Sequence, residues 1–172
     1  MSLERLWATW RSDYVASIAQ APPPTGDQSL FEGILASGLS DEESGIVWRG
    51  RHAFSLLNLY PYTSGHVLVL PYRAVPDLGG LTDEEAADLW LGIRSAEVAI
   101  TSAYSPDGVN IGMNIGRAAG AGVPDHLHAH VLPRWAGDTN FTTAIAEVRL
   151  LPESLDITYR RLTEAWPDHG GR

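Results

Sequence analysis

Three imidazoles recur at every second position in His126-Leu127-His128-Ala129-His130, and Leu127, Ala129 and Val131 fill the alternate places. An extended backbone turns successive side chains to opposite faces, so the three rings share one face while the apolar residues enter a core. Imidazole changes protonation near neutral pH and serves as a nucleophile, a proton carrier or a metal ligand. Two chemistries therefore fit the cluster. Covalent catalysis needs one ring held in a single tautomer by its neighbours. A metal-dependent hydrolase or cupin-like enzyme needs ring nitrogens converging on a cation, and alternating strand histidines can do that. The metal reading lacks a carboxylate, because Asp125 alternates to the opposite face and no other acidic residue lies in the segment. A chance array on a half-exposed strand is the remaining reading, and the dense same-face spacing argues against it.

The composition narrows the rest. No cysteine occurs among the 172 residues, which removes disulfides, thiolate metal sites and cysteine nucleophiles together. All 12 basic residues are Arg, so lysine-dependent mechanisms and phosphate loops ending in Lys-Ser or Lys-Thr are excluded. A formal charge of -9 lacks the basic footprint that nucleic acid requires. No apolar run approaches the roughly 18 residues of a spanning helix, and Met1 to Gln20 carries charges and aromatics instead of a signal-peptide core. No membrane partner and a cytoplasmic location are expected. With 44% hydrophobic residues, the length suits one domain with a sizeable core.

Leu3 to Ala19 has helical apolar spacing, and Pro22-Pro23-Pro24 with Gly26 then makes a loop. Ser29 to Ala36 reads as a short helix. Gly45 to Arg49, Ala53 to Leu59 and His66 to Pro71 read as strands, the last two antiparallel around Pro61 to Gly65. Thr82 and Glu85 have capping-box spacing, and Leu89, Ile93, Ala96 and Ile100 mark one face of a helix to about Ala103. Gly92 inside it costs about 1 kcal/mol relative to Ala. Strands around Val109 to Ile115 and Leu127 to Leu132 follow, separated by a Gly-rich loop, and Glu153 to Ala165 reads as a last helix. Grouped strands with helices between the groups indicate an α+β fold with a mainly antiparallel sheet of about five strands and packed helices.

A second constellation adds weight. Asn58 precedes His66 by eight positions within Ala53-Phe54-Ser55-Leu56-Leu57-Asn58 and Ser64-Gly65-His66-Val67-Leu68-Val69-Leu70-Pro71. Together with His126-Leu127-His128-Ala129-His130-Val131-Leu132, these segments resemble the histidine-triad (HIT) superfamily along nearly the whole chain. The Leu6-Trp7 opening and Pro133-Arg134-Trp135-Ala136-Gly137-Asp138-Thr139-Asn140-Phe141 are most similar to the bacterial branch that includes diadenosine tetraphosphate phosphorylases and hydrolases. The resemblance implies a HIT-like fold over 1–172, with an N-terminal helical extension 1–28, a core 29–141 and a C-terminal helix 150–166. It implies a nucleotidyltransferase or hydrolase attacking a nucleotide α-phosphate, with His128 as the nucleophile. His126 and His130 would hold the phosphate and the active tautomer, and His66 would support the triad. Asn58 would contact the ribose, and Asn114, Gly120 and Gly122 would lie near the phosphates. From residue type alone, Asn58 suits a strand-end turn and His66 a satisfied core ring equally well. Arg117 and Arg134 could offset substrate charge, or be solvated surface arginines.

The resemblance also implies a homodimer and a small nucleotide as substrate. No cofactor is required, and a divalent metal ion is expected only as a companion of the nucleotide. Relatives with a structural zinc have Cys-x-x-Cys near Ser29-Leu30-Phe31-Glu32, so no zinc is expected here. Gly122, Val123, Pro124 and Asp125 stand where many relatives have Gln, Ser or Thr, which leaves the acceptor, water or orthophosphate, open. A nucleotide-binding protein without chemistry is a further alternative.

Overall fold

Ser29 sits in extended backbone and accepts the Glu32 N–H on its Oγ, while the Glu32 carboxylate accepts the Ser29 N–H. This reciprocal pair satisfies two donors that a helix start otherwise leaves open, and it begins helix α1, Leu30–Ala36. The same device opens α2, Asp41–Ser44, through Ser40 and Glu43, and α3, Asp83–Tyr104, through Thr82 and Glu85. The computed structural model describes residues 28–138 and 153–168. The expected helix over Leu3 to Ala19 and the start of the C-terminal helix at 150 lie outside those residues.

Five strands form one sheet: β1 (Ile46–Arg49), β2 (Ala53–Leu57), β3 (Val67–Pro71), β4 (Gly108–Met113) and β5 (Ala129–Arg134). Their order is β1-β2-β3-β5-β4, and every neighbouring pair is antiparallel. All residues of β2 and β3 are buried, as their nearly unbroken apolar sequences require of strands covered on both sides. On one face Ala53, Leu57, Val67, Val69, Ala129 and Val131 meet α3 and the C-terminal helix α4, Leu155–Ala165. On the other face Phe54, Leu56, Leu68 and Leu70 pack with Phe31 of α1. The fold is thus α+β with a five-stranded antiparallel sheet.

The helical face expected for α3 is the buried one: Leu89, Ile93, Ala96 and Ile100 are each at most 2% exposed. Gly92 lies on that face too, and a Cβ there would come 2.7 Å from Val69 Cγ1 and 2.8 Å from Trp48 Cζ3. The missing side chain lets the helix approach β3, which explains a residue that propensity alone marks as unfavourable.

β5 starts two residues later than the alternating pattern suggests. The Leu127 N–H bonds to the Val75 carbonyl at 2.6 Å, outside the strand ladder, and the His126 N–H turns back to Val123. The first histidine therefore stands in the approach to the strand. Among the described residues, no helix is long and apolar enough to cross a membrane.

Candidate active site

The ladder between β3 and β5 places Val69 opposite Ala129 and Leu68 opposite His130. This register sends Leu127, Ala129 and Val131 to the α3 face and leaves the histidines on the α1 face. A cavity of about 470 Å³ opens there, within the range of small-molecule sites. His128, His130, Asn58, Asn114, Gly120 and Gly122 all line it. His126 and His66 do not; they stand behind the lining, 0% and 1% exposed.

The hydrogen bonds assign the tautomers. His128 Nδ1 lies 2.8 Å from the His126 carbonyl, which can only accept, so Nδ1 carries the proton and the Nε2 lone pair is left for the cavity. His66 Nδ1 accepts the Tyr62 N–H at 3.0 Å and faces the Asn58 amide at 3.3 Å. Its proton is therefore on Nε2, which donates to His130 Nδ1 at 3.0 Å. His130 must then carry its own proton on Nε2, as a donor to a ligand. His126 Nε2 donates to the Pro71 carbonyl at 2.9 Å, and its Nδ1 accepts from Ser29 Oγ at 2.6 Å. One side chain thus offers a lone pair and its neighbour offers an N–H, which together suit attack on an oxyanion-bearing centre.

Burial keeps the supporting rings neutral. His130 is pushed down to about 4, first by burial and then by the adjacent His128. His126 is lowered by burial, with the Pro71 carbonyl and the Glu32 charge opposing that shift. In the unfolded chain these rings titrate near about 6.5. As pH falls from there toward about 4, the unfolded state binds protons that the folded His130 refuses, and stability is lost across that window. The urea midpoint is expected to fall between pH 7 and pH 5, and less so in His130→Asn, which cannot titrate. An equal fall in that variant would remove His130 from the account.

Asn58 closes the turn between β2 and β3: its N–H bonds to the His66 carbonyl and its Oδ1 takes the Tyr60 N–H, both at 3.0 Å. The Gly-rich loop contains a 3-10 turn, Arg117–Ala119, whose start and end are glycines at φ 79° and 89°. The N–H groups of Ala119, Gly120 and Ala121 bond to carbonyls within this loop, so those three donors are already engaged. Gly120 and Gly122 line the cavity, and a Cβ at either would meet nothing within 4 Å. Arg134 is held by Asp138 at 2.5 Å and by Asn110 at 2.7 Å, and neither it nor Arg117 lines the cavity.

Three participants escape a sequence reading. Phe31 lies edge-on to His126, with centroids 5.3 Å apart, and 5.5 Å from His128. Tyr62 stacks on His130 at 5.7 Å. Ser29 reaches His126 across 97 residues. The only local signal for any of them is the capping-box spacing of Ser29 and Glu32, which announces a helix start and nothing about histidine.

Comparison with known proteins fits this arrangement. The HIT domain family model matches residues 40–137. The chain is 41% identical over 165 residues to the AP-4-A phosphorylase of Mycobacterium tuberculosis, covering 95% of this chain and 85% of that protein. It is 40% identical over 95 residues to the asymmetrical bis(5'-nucleosyl)-tetraphosphatase of Schizosaccharomyces pombe, covering 55% of this chain and 52% of that one. A zinc-bound histidine triad family protein from Mycobacterium smegmatis superposes with a TM-score of 0.65 at 27% identity, covering 80% of this chain and 92% of that one. In this chain the segment from Ser29 to Glu32 carries no thiolate, and Ser29, Glu32 and His126 hydrogen-bond to one another and to backbone. With the family model spanning the whole sheet and a relative aligned along nearly its full length, the chain belongs to the HIT family.

Proposed function

We propose that this chain cleaves dinucleoside polyphosphates such as diadenosine tetraphosphate, through a nucleotide bonded to His128, and passes that nucleotide to orthophosphate. The observation that carries the reading is the 2.8 Å bond from His128 Nδ1 to the His126 carbonyl, which leaves Nε2 as the nucleophile on the cavity wall. The relative covering 85% of its length is a phosphorylase, and this favours orthophosphate over water.

Leu30, Phe31, Ile34 and Leu56 give the cavity an apolar side for a base, and the histidines and two asparagines give it a polar end for ribose and phosphate. In the first step His128 Nε2 forms a bond to the α-phosphorus as the bond to the bridging oxygen breaks, and ATP departs. The ring gains a positive charge, so its Nδ1–H bond to the His126 carbonyl becomes charge-assisted. The His130 N–H supports the phosphoryl oxygens where negative charge gathers. An orthophosphate oxygen then attacks the same phosphorus, the phosphorus–nitrogen bond breaks, and ADP leaves with neutral His128 restored. Water in that role would release AMP. A divalent ion belongs to the substrate's polyphosphate in this reading. The homodimer belongs to it as well, with the outer edge of β4, unpaired among the described residues and carrying exposed Ile111, as the seam.

Diadenosine tetraphosphate with orthophosphate is expected to yield ATP and ADP in equal amounts, with little turnover when phosphate is omitted. ATP and AMP at an undiminished rate without phosphate would reassign the acceptor to water. Failure to trap any acid-labile nucleotide adduct on His128 would end the covalent reading.

A further inference from the structure

We infer that Ser29 and Glu32, at the start of α1, are positioning residues for the nucleophile: they clamp His126 from behind, and its carbonyl in turn holds His128 in the reactive tautomer. The inference rests on His128 being the nucleophile.

The donor and acceptor inventory gives the clamp a single solution. Ser29 Oγ already accepts the Glu32 N–H at 3.2 Å, so its one proton is free to go to His126 Nδ1 at 2.6 Å. His126 Nε2 gives its proton to the Pro71 carbonyl at 2.9 Å. Both nitrogens of a completely buried ring are engaged, and a flipped ring would set C–H groups against both partners. Glu32 extends the clamp. Its carboxylate takes the Ser29 N–H at 2.9 Å and the Ala74 N–H at 3.1 Å, tying α1 to the segment after β3. Pro71, at the end of β3, and Val75, in that segment, supply the carbonyls that hold the His126 ring and the Leu127 N–H. Residue 126 is therefore pinned through its side chain and through its successor's backbone, and the position of its carbonyl follows. His128 Nδ1–H finds that carbonyl at 2.8 Å. The clamp comes from a stretch of chain ahead of the family-matched residues 40–137.

Two substitutions at position 29 separate this role from helix capping. Gly is an adequate N-cap but has no hydroxyl, whereas Thr keeps both functions. Ser29→Gly is expected to lower kcat roughly tenfold with KM changed less than about twofold, and Ser29→Thr to recover most of the loss. Glu32→Gln, which weakens the tie to Ala74 and leaves the hydroxyl, should shift kcat in the same direction by less. The spectroscopic signature does not depend on turnover. With ¹⁵N-labelled histidine, the wild-type His128 ring should show a protonated Nδ1 and a bare Nε2, and Ser29→Gly should move both nitrogen shifts toward a tautomer mixture.

An unchanged His128 signature in folded Ser29→Gly, or kcat within twofold of wild type, would overturn the clamp. If the wild-type protein forms no nucleotide adduct, the proposed reaction fails, and the nitrogen shifts still report whether Ser29 sets the ring.

Discussion

Replacing His128 with Ala is expected to reduce kcat for diadenosine tetraphosphate by about 10³-fold or more while the protein stays folded. The reason is the division of labour among the rings. His126 and His66 have both nitrogens engaged with protein partners, and His130 presents an N–H where a nucleophile needs a lone pair. No neighbouring imidazole can take over the bond to phosphorus. The fold should tolerate the change because His128 makes its one described ring hydrogen bond to a carbonyl beside an open cavity, and the larger of the two apolar clusters lies on the opposite face. Substrate affinity should persist, since the base and ribose contacts proposed above come from other residues. Rapid-quench measurement of the first turnover, with a thermal melt as control, would check this. Turnover within tenfold of wild type would remove His128 from the nucleophile's role.

The second large effect is on stability, at Gly92. Gly→Ala in a helix interior ordinarily stabilises by about 1 kcal/mol, because glycine has more backbone freedom to lose. Here the added carbon would sit 2.7 Å from Val69 and 2.8 Å from Trp48, closer than nonbonded carbons approach. Gly92→Ala should therefore destabilise, against its propensity. Gly92→Val adds two further methyls into the same gap and should cost roughly 3 kcal/mol, the upper end of overpacking penalties. That corresponds to a fall in Tm of about 10 °C for a chain of this size. Val69 pairs with Ala129, the residue between His128 and His130, so a displaced β3 would also disturb the two cavity rings. A Gly92→Val protein that melts within about 2 °C of wild type would show that α3 and the sheet can part without cost.

Much of this was readable from residue order because the signals are local. The capping box of Thr82 and Glu85 and the apolar repeat from Leu89 to Ile100 specify α3, and both are present. The alternation through His130 and Val131 specifies opposite faces, and the register confirms it. Asn58, Asn114, Gly120 and Gly122 were drawn from the family resemblance, and the structure brings them to one cavity with His128 and His130. What could not be read depends on contacts between distant parts of the chain. The late start of β5 follows from Val75 capturing the Leu127 N–H, and the tautomer of His130 follows from His66, 64 positions earlier. His126 has the same spacing as its two partners, yet its ring is enclosed by Ser29 and Pro71 and does not line the cavity. Periodicity assigns a face; it does not say which ring on that face reaches the open space.

Helix α1 has seven residues and two surfaces in use. Leu30, Phe31 and Ile34 form part of the cavity wall, while Ser29, one residue before the helix, grips the His126 ring, whose carbonyl bonds to His128. A guest that crowds the wall must move the helix as a unit, and the grip moves with it. Poorly fitting nucleotides would then lose speed as well as occupancy, so that selectivity is expressed at the bond-making step and a wrong base is penalised after it has already bound.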